Sequence, residues 1–161
     1  MKLSGESVVL RPVEKQDEET LHRIVREPEV AKWWGTPEDF DDMLAIVVDG
    51  EVAGAIQYEE EDDPDYRHAS IDIFLGSRHH GRGLGTDAVR TLASWLIDER
   101  GHHRLTIDPA AVNAAAIRSY TKVGFKPVGV MRQYERDPIS DEWRDGLLMD
   151  LIASEFIRSH S

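Results

Sequence analysis

The chain has 161 residues, enough for one domain (1–161) with a substantial core, and its 40% hydrophobic and 31% charged residues suit a soluble globular protein. It contains no cysteine, which excludes disulfides, thiolate metal sites and a cysteine-linked acyl intermediate. A net charge of −12 argues against nucleic acid and anionic membrane surfaces as partners and is compatible with a cationic substrate.

No apolar run reaches membrane-spanning length and no signal-peptide pattern is present, so a cytoplasmic location is expected. Ser7 to Val13 reads as a first strand ended by proline. Asp17 is placed to cap a helix in which Leu21, Ile24 and Val25 recur at helical spacing, and Glu27-Pro28 breaks that helix. A short helical turn from Val30 to Gly35 carries Trp33 and Trp34. Adjacent indoles cannot both face one core, so one is expected inside and the other on a cleft or the surface, where a flat ring can pack on a sugar or attract an ammonium group.

Two apolar runs, Met43 to Val48 and Glu51 to Tyr58, flank Asp49-Gly50, a type I′ hairpin signal. Six acids in the seven residues Glu59 to Asp65 then read as a solvated loop, of which one or two carboxylates are placed to close over a polycation. The strand Arg67 to Leu75 alternates, with Ser70, Asp72 and Phe74 on one face and Ile71, Ile73 and Leu75 on the other. A carboxylate in mid-strand is costly unless paired or wet, which marks Asp72 as either a salt-bridge partner or a catalytic group.

After that strand comes Arg78-His79-His80-Gly81-Arg82-Gly83-Leu84-Gly85-Thr86, opening a helix expected over Asp87 to Asp98. Glycines at alternate positions permit a tight bend and close approach of the backbone amides to a ligand. At a helix N-terminus such amides favour an anion, and with Arg78 or Arg82 they predict a phosphate or diphosphate ligand. The spacing fits neither a Walker loop, which needs a lysine after its last glycine, nor the dinucleotide fingerprint. His79-His80 and His102-His103 lack the i, i+4 spacing of a helical metal pair and are expected to face solvent, so no metal site is expected.

Arg104 to Pro109 is a further strand. Asn113 as N-cap and Gly124 as terminator bound a helix over Ala114 to Val123. Val128 to Arg132 and Arg144 to Leu151 are expected as a closing antiparallel pair joined by a polar loop, Gln133 to Glu142.

The pattern R-x-x-G-x-G from Arg78 to Gly83 resembles the acetyl-coenzyme A pyrophosphate loop of GCN5-related N-acetyltransferases (GNATs). Asn113, Ala116, Tyr120, Lys122, Gly124 and Phe125 resemble the second signature of the same family, at the expected interval. The resemblance implies an α+β (mixed α/β) fold, a mostly antiparallel mixed sheet of about seven strands flanked by helices. It implies acetyl-CoA as cosubstrate and no metal. Backbone groups near Ile73 and Leu75 would hold the pantetheine arm, and amides of Gly81, Arg82, Gly83, Leu84, Gly85 and Thr86 the diphosphate. Asn113 and Ala116 would line the pantetheine or adenine side, with Lys122 also at the cofactor. Asp72 is then the candidate base and Tyr120, near the thioester sulfur, the candidate acid.

Within the family, Trp33-Trp34-Gly35, the acids before Asp72, Asp108-Pro109 and Asp145-Gly146 look like aminoglycoside 6′-N-acetyltransferases. That likeness implies antibiotic-resistance-type activity on a small cationic amine, held by Trp33, Trp34, Asp72, Asp108 and Asp145 with Glu59 or Glu60 as helpers. The opening Leu10-Arg11-Pro12 also resembles acetyltransferases of ribosomal-protein N-termini or of lysine side chains. A non-catalytic acyl-CoA sensor is a third reading. A monomer or a homodimer is expected.

Overall fold

The computed structural model describes residues 1–159. One eight-stranded sheet runs β1 (Leu3–Ser4), β2 (Val9–Pro12), β3 (Leu44–Val48), β4 (Glu51–Glu61), β5 (His68–Leu75), β6 (Arg104–Ile107), β8 (Trp143–Ile152), β7 (Lys126–Arg136). The seven expected strands are all present, joined by the two-residue β1. Every neighbouring pair is antiparallel except β5 with β6. That parallel pair is registered only at Ala69 with Leu105 and Ser70 with Thr106. Beyond these residues the strands part, and Asp72 and Asp108 each lie two positions past the last paired residue.

Helices cover both faces. Helix α3 (Leu84–Asp98) lays Ala88, Val89, Leu92, Ala93 and Leu96 on a core that includes Leu10, Ile46, Ile56, Ile71, Leu105 and Met149. Helix α4 (Ala114–Thr121) joins that side through Tyr120. On the opposite face α1 (Glu18–Val25) buries Leu21, Ile24 and Val25 with Phe40, Ala55 and Phe74, followed by the one-turn α2 (Pro28–Ala31). The Asp49-Gly50 hairpin has both residues at positive φ, 50° and 80°, as a type I′ turn requires. No helix among the described residues is long and apolar enough to cross a membrane.

Several elements differ from expectation. Asp17 precedes α1 but does not cap it with its side chain. The carboxylate is buried in a two-pronged pair with Arg11, at 2.7 and 3.0 Å, and also accepts from the Glu14 amide. Strand β4 runs through Glu61, so half of the acidic block is strand rather than loop. Helix α3 starts three residues early, at Leu84, and β7 continues to Arg136, which shortens the closing loop. Asp87 is buried in the first turn of α3, where it accepts the amides of Glu6, Ser7 and Val8 and ties the chain's first turn to the helix.

Candidate active site

The parting of β5 from β6 is lined by three cavities in sequence. The largest, about 600 Å³, lies between the glycine loop, α4 and the Trp33-Trp34 segment. A smaller one of about 240 Å³ shares Trp33, Trp34, Ile73, Asn113 and Tyr120 with it. A third of about 480 Å³ shares Asp72, Asp108 and Glu135 with the second. The small cavity is therefore the meeting point of the other two.

Sequence-predicted cofactor residues largely converge on the first cavity: Ile73, Leu75, Gly81, Gly83, Leu84, Gly85, Thr86, Asn113, Ala116, Tyr120 and Lys122 all line it. Gly83 is the N-cap of α3 in left-handed conformation, φ 75°, and no side chain caps that helix among the described residues. Its first amides thus lack intrahelical partners, and Gly83, Leu84, Gly85 and Thr86 line the cavity. A Cβ at Gly81 or Gly83 would meet no atom within 4 Å, so the missing side chains leave the amides open to a ligand. Asn113 caps α4 by accepting the Ala116 amide at 3.2 Å.

The two loop arginines do not join this cavity. Arg78 reaches Glu51 at 3.5 Å on the exposed side, and Arg82 points toward His79 and the Ser4–Val9 segment. The cations that do line the cavity are Arg118 and Lys122 of the α4 region and Lys32, of which sequence reasoning found only Lys122. Residues 118 and 122 are one helical turn apart, and that i, i+4 spacing was the available signal. The backbone edge near Ile73 and Leu75 also differs from a bare one. The Ile73 carbonyl accepts from the Trp34 indole at 2.9 Å and the Leu75 carbonyl from His80 Nε2 at 2.8 Å. Nor do all the histidines face solvent. His79 and His102 are buried, and the His102 ring meets Glu60 at 2.6 Å.

Asp72 opens onto both smaller cavities, with Oδ1 accepting the Ile73 amide at 3.0 Å. Asp72 is exposed to the open cavities, yet partial desolvation by their walls, reinforced by the charges of Asp108 and Glu135, pushes its carboxyl up to about 7 against the bond from the Ile73 amide. Tyr120 is buried, and burial with the charges of Asp72 and Asp108 pushes its hydroxyl up, so it stays protonated. A near-neutral acid and a persistent donor thus face the same small cavity.

The candidate substrate residues divide. Glu59, Asp72 and Asp108 line the 480 Å³ cavity, whereas Glu60 faces α3 and is held by Arg100 at 3.0 and 3.1 Å and by His102. Alternation along β4 places Glu59 and Glu60 on opposite faces. Asp145 lies outside these cavities and accepts the Gln133 amide at 2.9 Å, where Gln133 has φ 48° in a bulge of β7. Trp34 packs edge-on to Phe74 at 4.8 Å, and the Trp33 ring is met by the Arg144 guanidinium at 5.4 Å and the Lys32 ammonium at 5.3 Å. Tyr134, Glu135 and Arg144 are among the lining residues that the sequence reading did not select; the first two lay in a stretch expected to be loop.

Residues 7–126 match the family model described as an acetyltransferase (GNAT) domain. An aminoglycoside N(6′)-acetyltransferase type 1 of Klebsiella pneumoniae is 28% identical over 80% of this chain and 78% of its own. A spermidine N(1)-acetyltransferase of Escherichia coli K12 is 23% identical over 98% and 92%. The solved structure of AAC(6′)-Ib in complex with paromomycin and acetyl-CoA superposes with a TM-score of 0.75 at 26% identity, covering 97% of this chain and 99% of that one.

Proposed function

The chain belongs to the GNAT acetyltransferase family, and we propose that it transfers the acetyl group of acetyl-CoA to a primary amine of a small polycation, the 6′-amine of an aminoglycoside being the acceptor we assign. One observation carries this reading: a carboxylate-walled cavity and a cation-lined one are joined by a small cavity that holds both Asp72 and Tyr120. The likeness to the Klebsiella pneumoniae aminoglycoside acetyltransferase supports the choice of acceptor.

The glycine loop and α3 N-terminus fit a diphosphate, with Arg118 and Lys122 able to add charge-assisted bonds. Acetyl-CoA bound there supplies a thioester acetyl whose C–S bond is exchanged for the C–N bond of an amide. Asp108, Glu135 and Glu59 draw the acceptor's ammonium groups toward Asp72. Asp72 Oδ takes one ammonium proton and frees the nitrogen lone pair, and its carboxyl at about 7 suits that exchange near neutrality. Tyr120 holds its hydroxyl proton at the junction of the cavities, ready to donate to the departing sulfur.

A peptide acceptor would need an open groove. The closing loop is shorter than expected, and the Tyr134 hydroxyl closes onto Asp108 at 2.7 Å, which favours a small acceptor. A linear polyamine is the competing small acceptor, because the Trp33 face that would meet a sugar already meets Arg144 and Lys32. The test is acetyl-CoA consumption with kanamycin, tobramycin, spermidine and N-terminal peptides in parallel. Turnover on the aminoglycosides is expected; turnover on spermidine or peptides with none on any aminoglycoside would overturn the assignment. Tight CoA binding without turnover on any amine would favour a sensor.

A further inference from the structure

Arg144, on β8, is largely buried and makes an unusual number of directed contacts. Nη1 donates to the Lys32 carbonyl at 2.6 Å and Nη2 to the Trp33 carbonyl at 3.1 Å, residues more than a hundred positions earlier in the chain. Nε donates to Glu135 Oε1 at 3.2 Å, Asp137 stands 3.6 Å from Nη1, and the guanidinium covers the Trp33 ring. The Lys32 carbonyl is that of the C-cap of the short α2 and the Trp33 carbonyl follows it, where acceptors need donors from outside the helix.

The next residue, Trp34, is fixed on its other side by the indole bond to the Ile73 carbonyl, adjacent to Asp72. Trp33 and Trp34 form a wall common to the first and second cavities. We infer that Arg144 is a positioning residue for acetyl transfer, clamping the Lys32–Trp34 segment so that this common wall stays in register with β5. The inference rests on the functional reading given above. Glu135 pairs with Arg144 and also lines the acceptor cavity beside Asp72 and Asp108.

A lysine at 144 would keep the charge but lose the planar fork that reaches two carbonyls and one carboxylate together. Arg144→Lys is therefore the informative variant, with Glu135→Gln as its partner, since the latter leaves both carbonyl bonds in place. Three readouts are compared: the Kd for CoA alone by calorimetry, acceptor KM and kcat, and backbone hydrogen exchange across residues 32–35. Arg144→Lys is expected to speed exchange in that segment, weaken CoA about tenfold and raise acceptor KM by a similar factor, each the loss of roughly one charge-assisted hydrogen bond. Glu135→Gln is expected to alter acceptor KM alone. Unchanged exchange at 32–35 in Arg144→Lys would show that no clamp exists. Faster exchange with wild-type CoA affinity and KM would make Arg144 structural only. Failure of the wild-type protein to bind CoA or acetylate any amine would overturn the functional reading, and this inference with it.

Discussion

The Tyr134 hydroxyl donates to Asp108 Oδ2 at 2.7 Å, joining the outermost strand of the sheet to the end of β6 beside Asp72. A Cβ on Gly146 would stand 2.8 Å from the Tyr134 ring, so the bare backbone there is what seats the ring over β8. The bond to Asp108, more than burial, raises the tyrosine hydroxyl to about 12 and keeps it a donor. Tyr134→Phe should therefore raise acceptor KM by about 3- to 10-fold, equivalent to roughly one hydrogen bond. CoA affinity should be unchanged. The ring is 46% exposed, so the melting temperature should barely move. Steady-state kinetics beside calorimetry with CoA checks both parts.

Asp72 gives a pH signature in both activity and stability. As the proposed base it must be ionised, so kcat/KM should climb as pH rises through about 7. Asp72→Asn should cost about 10²- to 10⁴-fold in rate and abolish that limb of the profile. The stability effect has the opposite sign. A carboxyl raised from 3.8 to about 7 binds its proton more tightly in the folded state. Its favourable contribution is complete below the unfolded value and is lost as pH rises through the folded one. Asp72→Asn should thus melt higher than the wild type at about pH 8, with the gap closing toward about pH 4. A wild-type rate that is flat from about pH 6 to 8 would remove Asp72 as the base.

Tyr120→Phe separates donation from packing. The ring is buried and lies edge-on to Phe125 at 6.4 Å, and phenylalanine preserves that contact. Loss of the hydroxyl should lower kcat by about 10²-fold or more with little change in CoA Kd or melting temperature. Single-turnover kinetics with a pre-bound cosubstrate would isolate the chemical step.

Two glycines with the same backbone strain test the loop. Gly50 and Gly83 have φ of 80° and 75°, and neither has an atom within 4 Å of a would-be Cβ. Alanine at either should cost about 1 kcal/mol of stability through the left-handed conformation. Of the two, only Gly83 lines the 600 Å³ cavity. Gly83→Ala alone should lose the thermal stabilisation that CoA confers on the wild type. Equal protection by CoA in both variants would remove the glycine loop as the diphosphate site.

Buried Asp17 offers a stability test remote from the site. Its carboxylate is held by Nη1 and Nη2 of Arg11, and that bond lowers its pKa below the ordinary carboxylate value. Asp17→Ala should destabilise the fold by about 1–3 kcal/mol, since it removes the two-pronged bond to a partly exposed Arg11 and leaves the Glu14 amide without its acceptor. The contribution of this pair should persist above the ordinary carboxylate pKa and fade as pH falls through the lowered one. Chemical denaturation across that range checks it.

Much of the site was readable because its parts are local. Positive φ at Gly81 and Gly83, the Asn113 cap and the alternation that sends Asp72 and Ile73 to opposite faces each depend on a few successive residues. Arg78 and Arg82 turn from the cavity because a long cationic side chain follows whichever partner the fold brings near. For Arg78 that partner is Glu51, on the neighbouring hairpin. Glu60 misled because the acidic block was read as a loop; continued as strand, its alternation separates it from Glu59 and aims it at Arg100.

The amino-acid sequence alone determined the glycine turn into α3, the Asp49-Gly50 hairpin and the two-motif register that marks a GNAT chain, since these are written in φ, ψ preferences, caps and short spacings. Tertiary structure decided where β5 and β6 separate, which acids gather at that opening, and that Arg144 reaches back to Lys32 and Trp33. Those outcomes follow from strand order and from register across long loops, which bring charges together irrespective of their distance along the chain.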